Sequence, residues 1–201
     1  MKNKILLLLV YSTFSSSILG QDISLKKRDN YFYVGPLDLF LNTIQLGYER
    51  KLGNYNTIFF SGGFKLSEKD DMINRIGGNG ELQYRINLLY NKETVNPVLT
   101  HYSTFAYFAP FVQYRNEKIT DLIQGDILVN KNEITIVNSG FAGLGFGFRF
   151  TAMQNRFCMN VYAGGGLKYS QVTGNKKYTN FIEVGYTGVA PKVSFEIGIA
   201  F

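Results

Sequence analysis

The stretch "VSFEIGIAF", residues 193–201, carries a large apolar side chain at every odd position, with Ser194, Glu196, Gly198 and Ala200 between them. Strict alternation at period two marks a β-strand with two unlike faces. Glu196 sharpens that reading. A slip of one residue in pairing would move Glu196 onto the apolar face and every large residue onto the other, so this strand has one acceptable register. Two environments satisfy such a strand. One is a soluble barrel with its apolar phase inside; the other is a membrane barrel with its apolar phase outside and Glu196 in the lumen.

The same alternation recurs along the chain. Residues 43–52 set Ile44, Leu46, Tyr48 and Leu52 on one face, with Arg50 intruding near the end. Residues 56–66 align Ile58, Phe60, Phe64 and Leu66 and put Phe59 on the opposite face. Residues 81–90 alternate until Leu89, whereas 102–113 are apolar on both phases and leave their facing open. In 139–150, Leu144, Phe146, Phe148 and Phe150 oppose Gly143, Gly145, Gly147 and Arg149. Next, Phe157, Met159, Val161, Leu167 and Tyr169 oppose Cys158, Asn160, Gly164, Gly166 and Lys168. With 31–37 as a short first strand, the reading gives eight strands. Short connections at 53–54 and 151–155 take turns with long polar ones at 67–78, 114–132 and 173–190, while 91–101 is intermediate and 38–42 shorter than its place demands. Short turns at one end and long loops at the other are the layout of outer-membrane barrels.

Size decides which way the apolar faces point. Eight strands enclose room for ordinary side chains and little more, and the bulky phase from Ile44 through Phe201 would overfill it. In water each of those residues would forgo about 1.5–3 kcal/mol of burial, and a whole domain has a net stability of only about 5–15 kcal/mol. Lipid accepts them at no cost. The opposite phase, with Gly47, Gly143, Gly145, Gly147, Gly164, Gly166, Gly198 and Ala200, suits an interior holding a few long polar chains. There is no Trp, so interfacial girdles fall to Tyr48, Tyr84, Tyr90, Tyr169 and Phe150. The expected fold is all-β: an antiparallel up-and-down transmembrane barrel over residues 31–201.

Ahead of it, Lys2 and Lys4 precede the apolar run 5–10, a Ser-rich stretch and Gly20-Gln21, the layout of a secretory signal peptide cut near Gly20. Residues 21–30 then form a short polar periplasmic lead-in. The apolar run is too short for a spanning helix, which needs about 20 residues, and no cysteine follows the cut to carry a lipid. Net charge is +6, or +4 without Lys2 and Lys4, and the positives are scattered, so nucleic acid is not an expected partner. Cys158 is alone, which excludes an internal disulfide and suits a small packed side chain. No zinc-ligand spacing occurs, and no cofactor is expected.

The phase assignment places Glu49, Lys51, Glu81, Arg85, Arg149, Lys168 and Glu196 in the lumen, with Gln45, Gln83, Asn87 and Asn160. A buried charge without a partner costs several kcal/mol, so three acids and four bases should interlock into a polar plug. Chemistry is thinly represented. His101 and Ser103 fall on one strand face and could form a nucleophilic pair, but no orienting acid is near and the 91–101 connector belongs to the periplasmic end. Asp70-Asp71 reads as part of a solvated charge run, and Gly164-Gly165-Gly166 lies in mid-strand rather than before a helix, unlike a phosphate loop. The segment 114–132 mixes Leu122, Ile123, Ile127, Leu128 and Val129 with charges; it reads as a hairpin extension above the membrane or as a loop binding a partner or glycan.

The pieces "LGYERKLG" (46–53), "GLGFGFRF" (143–150) and "GVAPKVSFEIGIAF" (188–201) resemble the small OmpX/OmpA-like outer-membrane β-barrel families of Gram-negative bacteria. They are most similar to an uncharacterised group with Tyr-Glu-Arg in an early strand and Gly-Ile-Ala-Phe at the close. The resemblance implies a monomer in the outer membrane, in contact with lipid and lipopolysaccharide. It implies barrel-assembly machinery and periplasmic chaperones as partners in biogenesis, with Phe195, Ile197, Ile199 and Phe201 as the assembly signal. It carries over no catalytic residue. The functional expectation is a non-enzymatic integral barrel with a plugged polar lumen and exposed loops, in a structural or interaction role. The alternatives are an outer-membrane enzyme acting on lipid or lipopolysaccharide through His101 and Ser103, and a soluble lipocalin-like binder.

Overall fold

Each alternating segment can satisfy its backbone only by pairing on both sides, and the chain does so by closing on itself. The computed structural model describes residues 29–53, 55–70, 73–93, 102–121, 133–152, 156–174 and 178–201. The strands are β1 (Asn30–Val34), β2 (Thr43–Lys51), β3 (Asn56–Asp70), β4 (Ile73–Glu93), β5 (Tyr102–Asp121), β6 (Glu133–Ala152), β7 (Phe157–Thr173) and β8 (Gly188–Ala200); a short helix, α1 (Pro36–Phe40), follows β1. They form one closed antiparallel barrel in chain order, with β8 returning to β1. The strand now called β8 therefore forms the seam: Phe32 pairs with Ile199 and Val34 with Ile197. The end carrying Asn30, Phe201 and Leu52 is called the lower end; α1 and residues 178–187 stand at the upper end.

The stagger of the ring follows from its pairs. From Phe32 the register runs through Tyr48, Phe60, Leu82, Val112, Ala142 and Leu167 to Val189, ten residues short of Ile199, Phe32's direct partner on β8. A stagger of this kind tilts the strands and sets which side chains share a level inside.

Several expectations are corrected. Residues 67–78 are not a polar loop, because β3 continues to Asp70 and β4 starts at Ile73. Likewise β5 runs to Asp121 and β6 begins at Glu133, so all of 114–121 is ladder, while 122–132 lie outside the described residues. Polar residues in these strands satisfy their backbone by pairing in the ladder, which composition does not forbid. The first strand stops at Val34 instead of Leu37, since Pro36, which has no N–H for a ladder, opens α1. The signal peptide and most of the lead-in also lie outside the described residues.

Two irregularities explain the ambiguous segments. A bulge between Asn87 and Leu89 puts Leu88 out of register, which is why the alternation of β4 fails there. On β5, Tyr107, Ala109 and Phe111 are buried inside, and Val112 and Tyr114 are exposed outside. Pro110 faces the β4 side without a donor, and the ladder there skips from the Gln83–Phe111 pair to the Ile86–Phe108 pair.

The outside is apolar. Phe146, Phe148, Leu144, Leu167, Val193, Ile199, Leu46, Phe60 and Leu82 are all exposed, with Phe148 at 62% and Val193 at 74%. The expected girdle residues Tyr48, Tyr84, Phe150 and Tyr169 also stand outside; the side chain of Tyr90 lies outside the described part. The inside differs from expectation, since it is aromatic as well as polar. Tyr33, Phe59, Tyr107, Phe111 and Tyr162 are buried there. The glycines of the small phase make their room. A Cβ at Gly47 would strike Phe59, at Gly145 Tyr162, and at Gly147 Tyr107. Cys158 is a small buried side chain packed with Tyr31, Tyr33 and Phe59.

Candidate functional site

At the middle of the barrel the strands deliver charged side chains to one level. Glu49 of β2 is fully buried and accepts from three donors: the Tyr33 hydroxyl at 3.2 Å, Arg85 Nη1 at 2.8 Å and Arg149 Nη2. Arg85, also fully buried, gives Nη2 to Glu196 at 3.3 Å and Nε to Gln83 Oε1 at 2.8 Å. Its guanidinium lies 3.8 Å from the centre of the Phe59 ring, a close cation–π contact. Asn160 donates to Glu196 at 2.6 Å and accepts from the Tyr107 hydroxyl at 2.8 Å. A second arm runs upward: Gln83 donates to Glu81 at 2.7 Å, and Lys192 meets Glu81 at 2.7 Å.

Every strand contributes. Tyr33, Glu49, Phe59, Arg85, Tyr107, Arg149, Asn160 and Glu196 come from β1 to β8 in turn. Three carboxylates meet three bases, so the cluster is neutral. Breaking such a set leaves an uncompensated buried charge, whereas the intact set roughly balances its own desolvation.

Of the sequence-predicted lumen residues, Glu49, Arg85, Arg149 and Glu196 meet directly, and Glu81 joins through Gln83. Lys51 is placed at the lower end of β2, opposite Thr57. Lys168 is not in the cluster: it stands near the upper end and donates to the Glu183 carbonyl at 3.0 Å. Lys192 takes the place expected of it, and its signal was present, since it shares the even phase of Glu196. The sequence reading starts this strand at Val193, after a long connection over 173–190, whereas β8 runs from Gly188 through Pro191. Phe195, Ile197, Ile199 and Phe201 lie on the outward phase of β8 and just past it, with the Phe201 N–H donating to the Asn30 carbonyl at 3.0 Å. His101 and the Ser103 side chain lie outside the described residues.

Above the network the lumen widens into a cavity of about 330 Å³. Arg115, Lys168 and Lys192 with Asp38, Glu81 and Glu196 bring charge to its wall, Phe141 and Ile182 apolar surface. Among the described residues, no group of three or more His, Cys, Asp or Glu side chains is placed to hold a metal ion.

Fold and interior together define the class: an eight-stranded up-and-down barrel, apolar outside and charged within. No protein-family model matches the chain, and no curated protein matches it. Among solved structures, the crystal structure of Acinetobacter baumannii CarO is similar over 90% of this chain and 100% of that one, with 10% sequence identity and a TM-score of 0.35. At that level of likeness, the role has to be read from this chain's own residues.

Proposed function

We propose that this chain is a non-enzymatic integral protein of the outer membrane, with its lumen closed by the Glu49–Arg85–Arg149–Glu196 network and its upper connections exposed at the cell surface. The observation that carries the reading is the exterior. Large apolar side chains cover the outside of the barrel while its charges are buried within. That inversion is stable where hydrocarbon replaces water as the outer solvent. The closed lumen is supported by Arg85 and Arg149, which are 0% and 2% exposed and occupy its centre with their partners. The outward residues Phe195, Ile197, Ile199 and Phe201 would serve as the signal read by assembly machinery, and the role is structural or one of interaction at the surface.

A gel of detergent-extracted protein tests this, run with and without boiling. A folded barrel migrates differently in the two lanes, and the protein fractionates with the outer membrane; recovery as a soluble monomer would favour the lipocalin-like alternative. In planar bilayers the folded protein is expected to show no solute-sized conductance. Stable steps of porin magnitude would overturn the closed lumen.

A further inference from the structure

The barrel wall has a gap at the upper end. β1 stops at Val34, paired with Leu46 on β2 and Ile197 on β8. Above that level β8, from Val189 to Glu196, has ladder partners on β7 and, among the described residues, none on its other side. α1 stands there instead, packed against both β2 and β8. Its Asp38 reaches the cavity, while Leu37, Leu39 and Phe40 are exposed, Phe40 at 85%.

The cavity itself records the gap. Pro191 and Val193, on the outward phase of β8, line it together with Lys192 and Ser194 of the inward phase. Residues of both phases border one cavity along the stretch where β8 has no described neighbour strand and α1 stands instead. An unpaired strand edge is not tolerated against bare hydrocarbon, so this edge calls for a cover. α1 is five residues long and offers only part of one.

The charges indicate what enters. Lys192 is held by Glu81, and Glu196 by Arg85 and Asn160. Arg115 and Lys168 lie higher, on β5 and β7 either side of β6, where they pair in register with Ser139 and Phe141. The acids near Arg115 are Glu117, at 3.8 Å, and Asp38 on the same cavity wall, while Lys168 donates to a backbone carbonyl. A guanidinium has five donors and an ammonium three, so both keep donors for an anion. Phe141 lies beside them, with Phe181 and Ile182 at the rim and Val193 at the gap.

We propose that the gap between β8 and α1 is a lateral entrance from the outer leaflet, and that the cavity binds a single-chain fatty carboxylate. Arg115 and Lys168 hold the head; the chain passes Val193 and leaves along Leu37 and Leu39 into the leaflet. The cavity is at the small end of the range for ligand sites, enough for a head and the first part of a chain. This inference rests on the membrane reading above.

The test uses the full chain folded in phosphatidylcholine liposomes, with folding confirmed by the shift on boiling. A diazirine-bearing palmitate is photolysed and its adducts mapped by mass spectrometry, beside the matching fatty alcohol. The carboxylate is expected to label the β8–α1 rim, and the alcohol only the exterior belt. The double substitution Arg115→Gln, Lys168→Gln is expected to lower rim labelling about tenfold, while Arg50→Gln, exposed at the lower end, leaves it unchanged. Equal labelling by both probes, or rim labelling indifferent to the double substitution, overturns the proposal. So does competition by acetate as effective as by palmitate, because the site would then take a free carboxylate from water. If the double variant does not fold, the two probes on the unsubstituted chain still decide. Absence of the shift on boiling would instead count against the membrane reading.

Discussion

Glu49 shows how much one residue can hold. It is the shared acceptor of Tyr33, Arg85 and Arg149, contributed by three other strands. Replacing it by Gln keeps shape but leaves two guanidiniums facing a neutral amide in a dry interior. Loss of one partner of a buried ion pair typically costs about 3–5 kcal/mol. Glu49→Gln should therefore lower the urea midpoint of the folded band on unboiled gels well below that of Glu81→Gln, whose partner Lys192 is 11% exposed and nearer the cavity. Equal midpoints would show that the three-donor carboxylate is not the main support. Gly147 makes the complementary case. A Cβ there meets the Tyr107 ring, which is hydrogen-bonded to Asn160 and cannot swing away freely, whereas a Cβ at Gly80 meets nothing within 4 Å. Gly147→Ala should impair folding and Gly80→Ala should not. Adding Tyr107→Ala to Gly147→Ala should restore the folded band; its failure to do so would mean the glycine serves backbone geometry, not the ring.

At the scale of elements, β8 does two jobs with one pattern. Its odd residues form the exterior, and its even residues place Lys192, Glu196 and Gly198 inside. Past its end, the Phe201 N–H bonds to Asn30 across the seam, while the ring is 61% exposed. Losing one such hydrogen bond costs about 1 kcal/mol, too little to prevent folding. If Phe201 acts as an assembly signal, its deletion should cut the amount of barrel inserted in cells several-fold, while refolding of the purified chain in detergent changes little. Equal losses in both assays would reduce Phe201 to its local contact. The departures in β4 and β5 belong to the same scale. Leu88 and Pro110 each interrupt a ladder, and both segments read irregularly in the sequence for that reason.

For the molecule as a whole, the walls differ in height. β4, β5 and β6 have 21, 20 and 20 residues, about twice what a tilted strand needs to cross a bilayer, whereas β1 has five. In the proposed membrane setting the tall side would carry the upper end of the barrel beyond the hydrocarbon, and the low side holds the gap. One network nevertheless ties all eight strands together, so unfolding in urea should be a single cooperative transition. Loss of the folded gel band and loss of β-sheet circular dichroism should coincide. Separate transitions would show that the tall wall and the seam are independent units.

Alternation in "VSFEIGIAF" and its counterparts determined the strands, their number and, outside 102–113, their facing, because it is a local response to two unlike solvents and needs no knowledge of neighbours. It also determined that Glu49, Arg85, Arg149 and Glu196 are inside. Only the closed ring decided which of those charges meet. Glu49 finds Arg85 and Arg149 at separations of 36 and 100 residues, and their shared level depends on the ten-residue stagger accumulated around the ring. No single stretch contains that sum, which is why Lys168 read as a member of the network. The aromatic interior and the gap above Val34 arise in the same way. Each depends on what the adjacent strand leaves empty: a glycine opposite a ring in one case, and in the other a strand that ends too soon.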